Sequence, residues 1–562
     1  LVDYLSGRDA YDDNDNGNTT EAREWPLGDI RHSKPAVVNY RPYNMANEAS
    51  CSENKTMIFV GTNDGMLHAF TDCDGQEAWS FIPDTLLPNL KEMAARPTLI
   101  NYYVDASPVV MRYDANKDET IDPSTDKLVV IFGLRRGGSA YYALDVTSPM
   151  APKLLWKIDA GTSGFGHLGQ TWSDPQFAKV RVGSASKLVA VFGAGYDINE
   201  DGRFGANGSF PAVTAQLQGN GNQTSPGAVA PGSRPNPVGR GIYVVEVASL
   251  SSSGVPSLVT SPSIIWSLTA ANNSSMQFSF PGDMSMVDAD GDGYADKIYA
   301  GDTGGQLWRF DIKDTNTSGW SGEMIFKVPE SSGRKFFYKP SVAVENDFNM
   351  VAIGSGDREH PLNTAVVDRM YMIKDKGQTT AGNIGEGNLM DVTANELQGA
   401  ETSPEKQKEI LASLNSASNY GWMVQLSGNN GEKVLAPPMI LNKVAYFSTY
   451  SPNTTVAVDP CAPGNLGVSR LYALNYLTGE AALNFQTNND ASTVSNERAL
   501  NKEGKVLLTS DRVVTLGSGI PSGMTIIIPE SGEVAILVTS GTGVRKEDVG
   551  KSRPQVMNWR MW

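Results

Sequence analysis

The chain has 562 residues, 40% of them hydrophobic, enough to bury a large core without help from disulfides or oligomerisation. Its 46 Lys and Arg stand against 62 Asp and Glu, a net charge of −16 that would repel a phosphate backbone, and no basic stripe offsets it, so nucleic acid is excluded as a partner. No apolar run approaches the ~18 residues of a membrane-spanning helix, which excludes a helical transmembrane protein.

With 56 Gly and 31 Pro punctuating short runs of β-branched and aromatic residues, the texture is that of many strands joined by turns, an all-β architecture. Residues 1–30 read as a lead-in segment. Leu1 opens in mid-sequence without a signal peptide, so the expectation is a portion of a longer secreted protein whose targeting segment lies upstream. In the lead-in, Asp12, Asn14, Asn16 and Gly17 begin an alternating oxygen pattern, but Arg23 at position twelve favours a polar turn over an ion site.

From residue 31 an imperfect repeat takes over: an apolar run ending in Gly, a polar turn, and a second apolar run containing an aromatic. Copies lie at 57–70 with 79–83, 128–145 with 155–158, 188–246 with 264–268, 297–311, 350–373 and 444–474. Each is a meander of antiparallel strands that cannot bury both faces alone, and radial stacking of such units predicts one modified β-propeller over 31–562, with six or seven blades. A two-sheet sandwich of the same strands is the alternative. Long insertions interrupt the blades at 205–239, rich in Gly, Asn, Pro and Ser, and at 376–420. The second carries the capping-box pattern Thr393-Ala-Asn-Glu396, then Ser403-Pro404 ahead of Ile410, Leu411 and Leu414, which predicts one or two short surface helices.

Cys51 and Cys73 flank a short strand-turn-strand segment that can bring them into bonding range, although spacing alone leaves the bridge open. Cys461 is then a free thiol or pairs elsewhere.

The sharpest chemical signal is Asp288-Ala-Asp290-Gly-Asp292-Gly293-Tyr294-Ala-Asp296. Oxygen ligands fall at positions one, three, five and nine, with Gly at six and the backbone carbonyl of Tyr294 at seven, as in an EF-hand loop. Tyr299 stands where the bidentate Glu would be, so Asp296 must close the shell. Four carboxylates within nine residues repel one another unless a hard divalent cation sits among them, and Ca²⁺ is the predicted ion. A possible second site is Asp114, Asn116, Asp118, Thr120 and Asp122, with Glu119 where Gly would ease the turn. Asp197, Asn199 and Asp201 begin a third such pattern, but Gly205 at position nine makes it a polar turn. The four histidines, His32, His68, His167 and His360, show no metal-ligand pairing. No P-loop, nucleophile elbow or zinc-protease motif occurs, and the chain reads as a non-enzyme.

Taken together, Gly61-Thr-Asn-Asp-Gly-Met-Leu-His-Ala-Phe70, Phe81-Ile-Pro83, Tyr103-Val-Asp-Ala-Ser-Pro-Val-Val110, Ala143-Leu-Asp-Val-Thr147, the acidic loop at Asp288, Leu307-Trp-Arg-Phe-Asp311, Gly421-Trp422, Asp459-Pro-Cys461 and Asn558-Trp-Arg560 resemble the PilC/PilY family, the tip-associated adhesin and assembly proteins of bacterial type IV pili. The resemblance spans nearly the whole chain and points to that family's C-terminal propeller. It implies calcium at Asp288 to Asp296, and a role in pilus extension and retraction, twitching motility and surface attachment. The implied partners are pilus subunits, minor pilins and a host-cell or surface receptor. The implied location is the pilus tip or outer-membrane surface of a Gram-negative bacterium, reached through the periplasm. The Gly-x-Asn-Asp-Gly turn, Trp79 and Trp156 also look like quinoprotein dehydrogenase repeats, the alternative in which the propeller is an enzyme. A purely structural calcium-stabilised module is the third possibility.

Overall fold

In the computed structural model, the described residues are 1–90, 102–201, 237–453, 466–490, 494–501, 503–527, 533–541 and 543–551. Seven sheets follow one another along them, so the all-β expectation holds and the blade number resolves to seven. Blade 1 is Ala36–Asn39, Thr56–Gly61, Leu67–Thr71 and Glu77–Phe81. Blade 2 is Val109–Tyr113, Lys127–Gly133, Ala140–Asp145 and Lys153–Asp159. Blade 3 is built on Gln176–Val182, Ala185–Gly193, Gly241–Leu250 and Ile264–Thr269. Blade 4 is Ser285–Val287, Lys297–Gly301, Gln306–Asp311 and Ser321–Lys327. Blade 5 is built on Ser341–Val344, Asn349–Gly354, Arg369–Asp375 and Gly421–Gln425. Blade 6 is built on Met439–Leu441, Val444–Ser451, Val468–Asn475 and Val513–Ser518. Blade 7 comprises Thr525–Ile527, Glu533–Ser540 and Gly543–Lys551.

Side-chain alternation explains the stacking. In the second strand of blade 3, Leu188, Ala190 and Phe192 join the cluster shared with blade 2, while Val189 and Val191 join the cluster shared with blade 4. Both faces are therefore apolar and both are buried, which a strand with a wet face would not allow. The same arrangement joins blades 1 and 2, 4 and 5, 5 and 6, and 6 and 7.

First strands of neighbouring blades lie against one another and so surround the axis. Lys34-Pro35, Ser107-Pro108, Asp174-Pro175, Lys339-Pro340 and Pro437-Pro438 each lead into one of them. Proline holds its predecessor extended and needs no ladder partner, so it suits the start of an edge strand.

The insertion at 376–420 forms one α-helix, Pro404–Leu414, with Ser403 Oγ accepting from Lys406 N and Pro404 in the first turn. Ile410 and Leu414 are buried in the cluster between blades 5 and 6. Thr393 caps no helix: its hydroxyl donates to Asp391 and accepts from Gln425 N, and only a 3-10 turn, Glu396–Gln398, follows. Cys51 and Cys73 form a disulfide with Cα atoms 5.2 Å apart, tying the first interstrand loop of blade 1 to the turn at 72–75. Cys461 and most of the 205–239 insertion lie outside the described residues.

Candidate metal centre

The Asp288 loop joins the first two strands of blade 4. Gly291 and Gly293 take φ of 77° and 84°, values that a side chain disfavours, and these turn the chain back on itself. Asp288 organises the turn from within: Oδ1 accepts from Gly291 N at 2.7 Å and Asp292 N at 3.1 Å, and Oδ2 accepts from Gly293 N at 2.7 Å. Asp290 Oδ1 accepts from Asp292 N, Asp292 Oδ1 from Tyr294 N, and Asp296 Oδ2 from Ala289 N. Carboxylate oxygens of Asp288, Asp290 and Asp296 converge to within 4.8 Å of one another. Asp292 is drawn aside to Arg181, 3.3 Å away. The Tyr294 ring is held by Lys179 and Arg181, and its hydroxyl lies 2.7 Å from Ser186 Oγ, which fixes the backbone that carries its carbonyl.

One cation already answers this charge. Lys313 Nζ lies 2.5 Å from Asp290 Oδ2 and 3.6 Å from Asp296 Oδ1, and the bond to Asp290 raises the Lys313 pKa first. The same bond lowers the pKa of Asp290. Lys313 is 63% exposed, so solvent screens the pair and the amine can leave at low cost. The three converging carboxylates, an all-oxygen donor set, fit a hard divalent cation in that place.

The Asp114 loop occupies the same position in blade 2 and repeats most of the turn's bonds. Asp114 Oδ1 accepts from Lys117 N at 2.7 Å and Oδ2 from Glu119 N at 2.8 Å, while Asn116 and Asp118 accept from Asp118 N and Thr120 N. Lys117 and Glu119 adopt φ of 60° and 65° where blade 4 has glycine. Asp122 does not turn inward; its Oδ1 accepts from Ser124 N and Oγ. The carboxylate that accepts from Ala115 N, as Asp296 does from Ala289 N, is the buried Asp126, directly before the second strand. The carboxylates of Asp114, Asp118 and Asp122 are not among the converging groups of the described residues.

The turn at Asp12 has the same form. Asp12 accepts from Asn16 N and Gly17 N, Asn14 and Asn16 accept two residues ahead, and Asp9 Oδ1 takes Asp13 N. Asp15 and Gly17 supply the left-handed positions. Spacing could have found this backbone in the sequence; Asp9 and Asp126, which complete the turns from outside the pattern, it could not. Asp197 instead begins the 3-10 turn Ile198–Asp201, and its carboxylate accepts from Val238 N. His68 is buried in blade 1, Nε2 3.0 Å from Asp64 and Nδ1 2.8 Å from Glu77. Trp79 and Trp156 pack in the clusters between blades 1 and 2 and between 2 and 3, away from the axis.

Residues 27–210 match the family model described as the PilY1 beta-propeller domain. The chain thus resembles the PilC/PilY family. It is 26% identical over 545 residues to the type IV pilus biogenesis factor PilY1 homolog of Xylella fastidiosa, and 26% over 549 residues to the type IV pilus biogenesis factor PilY1 of Pseudomonas aeruginosa. These alignments cover 88% and 85% of this chain but only 32% and 41% of the relatives' length. The crystal structure of the Pseudomonas aeruginosa PilY1 C-terminal domain shares the fold, with a TM-score of 0.55 at 20% identity, covering 91% of this chain and 99% of that one. Among the described residues no helix is long and apolar enough to cross a membrane.

Proposed function

We propose that this chain is the calcium-responsive propeller of a type IV pilus biogenesis factor, acting in pilus extension and retraction, twitching motility and surface attachment, and not in catalysis. Its partners on this reading are pilus subunits, minor pilins and a surface receptor, met at the pilus tip or outer-membrane surface. The relatives' names support the pilus assignment. The observation that carries the calcium assignment is the convergence of Asp288, Asp290 and Asp296 around an exposed lysine. Calcium suits the loop better than magnesium, because a flexible turn rich in oxygens serves an ion that tolerates six to eight ligands. Asp114 to Asp122 is the second candidate, with Asp126 placed to close it.

The test is Asp296→Ala in a piliated strain lacking the natural gene. Folded protein with altered piliation or twitching supports the reading; normal piliation and attachment with calcium binding lost would make the ion purely structural.

A further inference from the structure

The face of the ring opposite the acidic loops is closed over the axis by side chains from distant blades. Arg136, in the turn between the second and third strands of blade 2, pairs with Glu359 of blade 5 at 2.9 Å and donates to the Tyr102 hydroxyl at 3.0 Å. Trp172, leading into blade 3, packs with Tyr196 and with Phe337, which leads into blade 5. His32, ahead of blade 1, sits 2.8 Å from Asp105.

Two guanidiniums in this plug are left over. Arg135 lies 4.3 Å from the centroid of the Trp172 ring, its Nε is buried with no hydrogen-bond partner, and no carboxylate pairs with it among the described residues. Its backbone is held at φ 50°, a conformation an arginine does not choose. Arg358, next to the Glu359 that pairs with Arg136, is near enough to interact with it and with the Tyr338 hydroxyl, again with no carboxylate pairing among the described residues. Burial first, then the charge of Arg358, lowers the Arg135 pKa. Of the nearby acids, Glu359 pairs with Arg136, while Asp105 bonds to His32, whose pKa burial pushes down to about 4, and the Asp105 charge also acts on Arg135 from beyond contact distance. Burial raises the pKa values of the adjoining Asp174 and Asp283, and the charge of Asp283 raises that of Asp174 further, so they hold back part of their charge.

A half-buried guanidinium with no carboxylate in contact is costly, and strain adds to the cost, unless a ligand completes it. We propose that Arg135 and Arg358 form a carboxylate-binding site over the propeller axis, with Trp172 and Tyr338 as its walls. The planar guanidinium fork matches a carboxylate in two parallel hydrogen bonds. The surrounding Asp105, Glu359, Asp174 and Asp283 favour a monoanion over doubly charged phosphate. The carboxylate belongs to a small acid or to the C-terminus of a polypeptide.

The experiment is thermal unfolding and calorimetry of the 562-residue chain with sodium acetate, benzoate, inorganic phosphate, and a tetrapeptide with a free or an amidated C-terminus, all at one ionic strength set with chloride. A saturable rise in unfolding temperature with the carboxylates is expected. Arg135→Gln and Arg358→Gln should each weaken it at least tenfold, and Arg358→Lys should recover part. The free-acid peptide binding above acetate would name a chain terminus; acetate or benzoate binding as well as the peptide would name a small acid. Arg135→Gln without ligand should unfold no lower than the parent, because it removes a buried charge that no carboxylate contacts. Carboxylates acting only like chloride, phosphate binding tenfold better than acetate, or undiminished affinity in both glutamine variants would overturn the site. If Arg135→Gln does not fold, Arg358→Gln and Arg358→Lys decide the matter alone.

Discussion

Lys313 is the residue on which the acidic loop's chemistry turns. An ammonium at 2.5 Å from Asp290 must leave before a divalent cation can bind. The pair is exposed and screened by solvent, so Lys313→Ala should tighten calcium binding only about two- to fivefold by calorimetry. Weaker binding in that variant would mean the lysine organises the loop instead of competing for it. His68 offers a pH test elsewhere. Burial opposes its charge, but Asp64 and Glu77 outweigh burial and raise its pKa above 6.5; Asp64 is correspondingly lowered below 3.8. The pair's contribution is therefore lost as pH rises through the raised His68 value and, separately, as pH falls through the lowered Asp64 value. Urea midpoints between pH 5 and 9 should fall more steeply for the parent than for His68→Gln; parallel curves would contradict the pairing. At this scale the sequence showed Asp288, Asp290, Asp292 and Asp296 by spacing. It could not show that Arg181 takes Asp292, since that arginine comes from another blade.

Among the elements, six blades were legible because their second and third strands are long, apolar on both faces and joined by Gly-containing turns. Blade 7 was hidden: its first strand is Thr525–Ile527 and its third, Gly543–Lys551, is largely polar. The helix at Pro404 was legible from its cap, and the false capping box at Thr393 shows why pattern alone misleads, since Asp391 and the blade 5 edge claim that hydroxyl. Ser403→Ala should cost about 1 kcal/mol, seen as faster amide exchange within 404–414. The Cys51–Cys73 bridge closes a 22-residue separation, so replacing both cysteines by serine should lower stability by about 3 kcal/mol in urea. Labelling of the unfolded, unreduced chain at all three cysteines would reject the bridge.

For the whole molecule, antiparallel strands put the two candidate sites on opposite faces. Loops joining first to second strands carry the acidic turns of blades 2 and 4, and turns joining second to third strands carry the arginines over the axis. Neither face depends on the other for folding, because each blade is held by clusters shared with its neighbours. A change in an acidic loop should thus leave the ring intact. The axial cluster escaped sequence reading because its members, Arg135, Trp172, Tyr338 and Arg358, lie far apart in the chain and meet only when the ring closes. The most direct test of the account is a calorimetric titration of calcium into the 562-residue chain and its Asp296→Ala variant at pH 7. The account predicts that the variant loses one binding event while its far-UV spectrum stays that of the parent. Equal stoichiometry and affinity in the two proteins would contradict it.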